Sequence, residues 1–478
     1  MAQHTTPAPA LSRPCPPLLV ELWLLLGAHR PAVGQARVFD RLRALAVGQL
    51  GALGRRTLAQ ALLALGLTDT DPSAFYRLLG RGRLCYATLA RCFLRETLAE
   101  VPAGGPYVAV VDGVQVPRSS RRMPGTAWLP CPRTPRFAQG CHRAQLFVHL
   151  AALLPVWRGY SRALPLRLDP AFPAKAVPGA AAPQSEAQAA VGQVAWLRAE
   201  LDAAGRGEQP LLVLGDGHFD TLEGWRALPA RTVLLARTAC NRALAALPPP
   251  GARKGRQYGE RAPRPDAWVG RREGWQFAPI AVRGRTVGAR YRVEGPYLRR
   301  GAAERPLFLL VVSGSRRATG RYHRRRRPAY FLVNAAPDGA GGWALPLPAA
   351  DLVGWAWQRW EVEVCHRELK SGFGVGQAQC WSARATVRAV QVQAWAYACC
   401  VLAGYRAWGY DRHPRPAQGR WWPGAARWSL GTLWRAYQRA FAQAGLPHPR
   451  RAAPRGTWPE AEAWLHRLDA LLPDARAA

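Results

Sequence analysis

Two acidic residues end runs that are otherwise apolar. Asp112 follows Tyr107–Val111, and Asp216 follows Pro210–Leu214 within PLLVLGDGHFD; a Gly comes after each acid. Acids at the ends of buried strands lie at the edge of a sheet, where open α/β folds bind ligands. A third acid, Glu363, lies in the stretch 355–374, WAWQRWEVEVCHRELKSGFG. No Pro or Gly interrupts that stretch before Gly372, and Val362, Cys365 and Leu369 form an apolar stripe, so it is predicted to be one helix. Arg359, Glu363, His366 and Lys370 are four, three and four residues apart and fall on one face. A carboxylate between cations on one stripe suits a metal ion and a phosphate chain. A solvated face with i,i+4 ion pairs, Glu363–Arg367 among them, fits the same spacing. For either Asp-Gly the alternative is a simple turn.

Three carboxylates brought to one point repel each other, and two Mg²⁺ ions would neutralise them. Such a pair of ions, about 3.5–4 Å apart, activates an attacking oxygen and stabilises a leaving one. The composition points to the partner. Against 30 acidic residues the chain carries 66 Lys and Arg, a formal charge of +36, which calls for a polyanion and most simply nucleic acid. An acidic membrane surface is the alternative, but the basic residues are spread along the chain and not set on one amphipathic helix. Only Lys175, Lys254 and Lys370 are lysines. With the Ala, Gly and Pro excess, this suggests a GC-rich coding sequence as one source of the arginine. The ten cysteines form no CxxC pair; Cys131, Cys141 and His142 come nearest to a metal spacing. A reducing compartment fits, so the expected location is cytoplasmic and nucleoid-associated. The apolar run Leu18–Gly27 is too short to span a membrane and contains Glu21.

The elements that must position the acids read as follows. Residues 1–16 are a Pro-rich disordered leader, and 17–103 are helical and expected to bind DNA. Within that region Arg56–Leu65, a break at Gly66–Asp71 and a helix over Ser73–Leu79 carrying Arg77 are compatible with a helix-turn-helix. Strands and helices alternate over 104–239, the first part of an α/β core. Short alternating segments such as Val282–Val287 and Arg290–Val293 make 240–305 a β-rich insertion. The core resumes over 306–408, and 409–478 are a linker and C-terminal helices. Between two late strands lies RYHRRRR, with Arg324 and Arg325, a hairpin tip suited to a DNA backbone.

These residues resemble the DDE transposases of bacterial insertion sequences, and in particular the branch with a Tyr-x2-Arg-x3-Glu-x6-Lys signature on the helix that bears the catalytic Glu. Arg359-x3-Glu363-x6-Lys370 matches that spacing, whereas the Tyr position is Ala356. The resemblance covers 105–410. It implies a ribonuclease H-like mixed α/β sheet flanked by helices, with the β-rich insertion lying between the second Asp and the Glu. It implies Asp112, Asp216 and Glu363 as catalytic residues holding two Mg²⁺, for which Mn²⁺ can substitute. Arg359 and Lys370 would bind DNA phosphates, and Trp268 or Trp275 would stack on a flipped base. The implied reaction is strand cleavage and strand transfer at terminal inverted repeats. The implied partners are double-stranded transposon ends and target DNA, with a homodimer in the DNA complex and no membrane. Ala356 leaves open a second reading, an inactive or repurposed transposase that only binds DNA.

Overall fold

The computed structural model describes residues 15–409 apart from 121, 132–139, 158, 177–182, 252–254, 314–315, 320–321 and 326, together with 428–444, 465–466 and 469. The chain divides into two compact units, Leu94–Arg367, and Met1–Phe93 joined with Glu368–Ala478. The expected leader and the linker after 409 lie almost wholly outside the described residues.

The second of these units is helical: α1 (Pro17–Ala28), α2 (Ala36–Gly51), α3 (Leu58–Ala64), α4 (Ser73–Gly80) and the start of α5 (Tyr86–Leu98) precede two late helices. The late helix Ala383–Trp408 is buried almost all round between Ala389 and Tyr405, because α1, α4 and the last helix Leu430–Gln443 pack on it. Its start is capped by Ser382 Oγ, which accepts from Ala385 N at 3.1 Å. Expected as the end of the catalytic core, it is the centre of the helical unit. Residues 65–72 separate α3 from α4, a longer connection than the three- or four-residue turn of a helix-turn-helix. Arg77 lies exposed on α4. Among the described residues no helix is long and apolar enough to cross a membrane.

Residues 94–367 are built on one eleven-stranded mixed sheet. Its first strands are β1 (Tyr107–Pro117), β2 (Thr126–Pro130), β3 (Cys141–Trp157) and β4 (Tyr160–Pro170), followed by α6 (Glu186–Ala203), β5 (Leu211–Gly215), α7 (Leu222–Arg226) and β6 (Thr232–Arg237). β1 pairs antiparallel with β3 and parallel with β5; β3 pairs antiparallel with β4, and β5 parallel with β6. The resulting order β4-β3-β1-β5-β6, with α6 crossing from β4 to β5, is the ribonuclease H-like mixed sheet the sequence implied. Tyr107–Val111 and Leu211–Gly215 are buried throughout, as strands covered on both faces must be.

The later strands are, in chain order, β7 (Ala245–Ala246), β8 (Gln276–Val282), β9 (Arg285–Arg299), β10 (Ala302–Val312), β11 (Arg316–Thr319), β12 (Tyr322–Arg325) and β13 (Ala329–Asn334); β11 and β12 pair with each other as a small sheet apart from the large one. β13, β10, β9 and β7 extend the large sheet from β6 in that order, and β8 pairs with β9. The insertion is therefore part of the same sheet. Val282–Val287, expected as a strand, contains the β8–β9 turn: Arg283 and Gly284 have φ of 50° and 77°, as a two-residue hairpin turn requires. Arg324 and Arg325 lie on β12, opposite Arg317 and Arg316 of β11.

Asp220, four residues beyond Asp216, is consumed by the fold. Its fully buried carboxylate accepts from Trp225 Nε1 at 2.9 Å and Thr238 Oγ1 at 2.7 Å, and pairs with Arg242 at 2.7 Å and with Arg299 of β9. It ties the β5–α7 loop to the insertion. Removing one member of a buried ion pair strands the others, so Asp220→Ala should lower stability by about 3–5 kcal/mol in urea unfolding.

The helical unit holds a buried neutral base. His29 donates from Nδ1 to Leu25 O at 2.7 Å and packs against Phe93 and Trp395. Burial pushes its pKa down to about 4. The unfolded chain binds this proton from about pH 6.5 and the folded chain only near 4, so stability falls as pH drops through that window. Against a His29→Phe control, the parent should lose up to about 3 kcal/mol between pH 7 and pH 4.

Candidate active site

The parallel pairing of β1 with β5 aligns Val110 with Leu214. Asp112 and Asp216 each lie two residues further on, so the two acids stand side by side: Asp216 just past the end of β5, and Asp112 inside β1, which does not stop at the acid as expected but runs on to Pro117 because β3 continues to pair with it. Parallel neighbours run about 4.8 Å apart, which forces the two carboxylates into one electrostatic neighbourhood. Asp112 Oδ1 accepts from Gly113 N at 2.9 Å, and Asp216 Oδ1 from His218 N at 2.8 Å.

Glu363 comes from the far side of the insertion. The expected single helix is broken: α8 (Ala349–Gln358) and α9 (Glu361–Arg367) meet at a tight turn, where Trp360 N, Val362 N and Glu363 N bond back three residues. The cause is a tertiary anchor. Buried Gln358 accepts from Ser161 Oγ and donates to Gly159 O, both at 2.7 Å. Arg283 N of the β8–β9 turn reaches the same carbonyl at 3.0 Å. From this anchor α9 lies across β4 and β1, burying Val362 and Cys365. Arg359 Nη2 pairs with Glu363 Oε1 at 2.8 Å. The i,i+4 ion pair expected of a plain helix face thus exists, with Arg359 in place of Arg367.

The three acids act on one another. The Asp112 carboxyl is raised to about 7, first by burial and then by Asp216 and Glu363, with Arg359 and the Gly113 amide opposing them. Among the described residues no group of three or more His, Cys, Asp or Glu side chains is drawn up to hold a metal ion. The donor set nonetheless fits a hard divalent cation: carboxylate oxygens on half-buried residues, with more negative charge than Arg359 offsets.

Glu186 and His149 join this site without a sequence signal. Glu186, in the first turn of α6, approaches Gly113: a Cβ there would lie 2.5 Å from Glu186 Oε2. Its pKa is raised by burial and by Asp216, against the pull of His218 at 3.6 Å. His149, opposite Asp112 on β3, meets His366 of α9. Lys370 lies on the π-helical turn Glu368–Gly372, which belongs to the helical unit.

In the insertion, Trp268 is buried beneath Arg271 and Arg292, whose guanidiniums stand 4.2 and 4.7 Å from its ring centre. Trp275 donates to Arg271 O at 2.7 Å and faces Arg290 at 4.5 Å. The aromatic most open to solvent in this region is Phe277, 74% exposed. It lies on β8, an edge strand paired with β9.

A family model described as "DDE superfamily endonuclease" matches residues 31–290, more than half of the chain. The chain belongs to this family. The match includes Asp112 and Asp216 and ends before Glu363. No curated protein matches. Among solved structures, the cryo-EM structure of the piggyBac transposase synaptic complex with hairpin DNA aligns at 10% identity, covering 99% of this chain and 79% of that one, with a TM-score of 0.31.

Two outcomes follow for this DDE superfamily endonuclease. A carboxyl raised from 3.8 to about 7 in the folded chain costs stability as pH rises through that interval. Asp112→Asn should therefore be more stable than the parent by about 2–4 kcal/mol at pH 8 without divalent cations, with the gap closing towards pH 4 in urea titrations. Gly159 has φ +74°, and a Cβ there would lie 2.2 Å from Ala281 O. Gly159→Val should displace the Gln358 anchor and with it Glu363. Cleavage should fall at least tenfold while far-ultraviolet circular dichroism is kept.

Proposed function

We propose that this chain is a transposase of an insertion sequence, cutting and joining DNA at terminal inverted repeats with divalent-metal assistance. The observation that carries the reading is the β1–β5 register that sets Asp112 beside Asp216, with α9, which carries Glu363, packed against β1; the raised Asp112 carboxyl agrees with it. Family membership supports phosphodiester cleavage, and the +36 charge supports a DNA substrate.

Asp112, Asp216 and Glu363 would hold two Mg²⁺ ions, with Mn²⁺ able to replace them. Such ions supply activation of the attacking oxygen and charge stabilisation of the leaving one. The chain's part is to position. Parallel strands fix the two Asp, the Gln358 anchor sets α9, and Arg359 orients Glu363. Arg359 would also meet a phosphate oxygen near that carboxylate. Lys370, Arg77, Arg324 and Arg325 are assigned to the DNA backbone. For base stacking, Trp275 and Trp268 remain the assigned pair, and Phe277 is the more accessible ring. A homodimer on paired DNA ends and a cytoplasmic, nucleoid-associated location belong to the same proposal.

A DNA-binding protein without cleavage activity is the second reading, favoured by Ala356 at the Tyr position of the branch signature. The test is Mg²⁺-dependent nicking of DNA carrying the repeats that flank the gene. Asp112→Ala, Asp216→Ala and Glu363→Ala should each reduce nicking by at least a hundredfold with DNA affinity kept. Nicking unchanged in all three variants would overturn the assignment. Tight DNA binding by the parent with no nicking in Mg²⁺ or Mn²⁺ would select the second reading.

A further inference from the structure

The mechanism above leaves two histidines beside Asp112 unused. His149 lies directly across from Asp112 in the β1–β3 register, so both side chains leave the same face of the sheet. His366 enters from α9. His149 Nδ1 and His366 Nε2 are 2.9 Å apart, and His366 Nδ1 is 3.9 Å from Asp112 Oδ2. His149 is fully buried, and its Nε2 has no hydrogen-bond partner among the described residues.

That lone atom decides where the protons sit. One of the two nitrogens in the 2.9 Å contact must donate. If His366 Nε2–H donated, His149 would carry its own proton on Nε2, leaving a buried N–H with no acceptor. A neutral His366 would then also turn a lone pair from Nδ1 towards the Asp112 carboxylate. A His366 protonated on both nitrogens leaves the same stranded N–H on His149. If His149 Nδ1–H donates, only a lone pair is left unsatisfied, which costs less than a stranded N–H. His366 is then protonated on Nδ1, and that N–H faces Asp112 Oδ2. Burial holds the His149 ring neutral, with its pKa lowered to about 3.

We propose that His149 and His366 are positioning residues for Asp112: His149 fixes the His366 tautomer, and His366 presents its Nδ1–H to the outer oxygen of the Asp112 carboxylate. The inference rests on the cleavage reading for its purpose, but not for its geometry. At 3.9 Å this N–H acts on the carboxylate by electrostatics, not through a formed hydrogen bond, and favours one carboxylate orientation as a cation is taken. Groups that orient a ligating side chain are worth about 10–100-fold in metal affinity.

The test uses the full chain in two measurements. Long-range ¹H–¹⁵N spectra of ¹⁵N-histidine protein, assigned with His366→Asn, should show His366 protonated on Nδ1 alone. Protonation on Nε2 alone or on both nitrogens would overturn the proposal, with no variant needing to fold. Mn²⁺ titration calorimetry without DNA should show about tenfold weaker binding for His149→Leu. His149→Asn keeps a donor at the Nδ1 position and should recover most of that loss. Equal loss in both variants, or no loss in His149→Leu, would contradict the positioning role. A parent that binds no Mn²⁺ would count against the metal-assisted reading, and the tautomer spectrum would still decide this one.

Discussion

The structure depends on keeping like charges together against their repulsion. Asp112 within β1 and Asp216 just past β5 sit on adjacent parallel strands, where sheet geometry leaves no freedom to separate them, and Glu363 is brought to them by a helix on a third segment of the chain. Burial makes the conflict worse, since it penalises the charged form of Asp112 before any neighbour is counted. An arrangement of this kind lowers stability, and the surrounding fold must hold it in place. The five-strand core supplies the fixed frame, and the Gln358 anchor supplies the third arm.

Gly159 shows how few contacts that arm needs. Its carbonyl accepts from Gln358 and from Arg283, so one peptide group joins the β3–β4 turn, the end of α8 and the β8–β9 turn. The insertion is thereby coupled to the acid it precedes in sequence. Asp220 makes a second tie, from the β5–α7 loop to β9. Asp216 and Asp220 are four residues apart and serve opposite purposes. Asp220 is saturated with donors inside the fold, whereas Asp216 faces outward with another acid beside it.

Much of this was legible in the sequence because it is local. An apolar run before Asp-Gly specifies a strand that carries the acid, although β1 runs on past Asp112, and the Arg359-x3-Glu363 spacing specifies the ion pair that survives the helix break. What escaped was set by distant contacts. The break at Arg359–Trp360 has no Pro or Gly to announce it, since it comes from Gln358 reaching residues some two hundred positions earlier. His149 sits inside a run read simply as strand, and only the β1–β3 register brings it opposite Asp112. Glu186 is masked by an ordinary helix start with a capping box. The helix Ala383–Trp408 reads correctly as a helix, but its sequence does not say which unit it completes, because it is apolar on every side.

The central claim is that Asp112, Asp216 and Glu363 form one cation site. Crystals of the full chain soaked in Mn²⁺ and measured at the manganese absorption edge test it most directly. The account predicts anomalous density bounded by these three carboxylates, lost in Asp112→Asn crystals grown and soaked in the same way. Manganese bound elsewhere, or density at this site that survives the loss of Asp112, would contradict it.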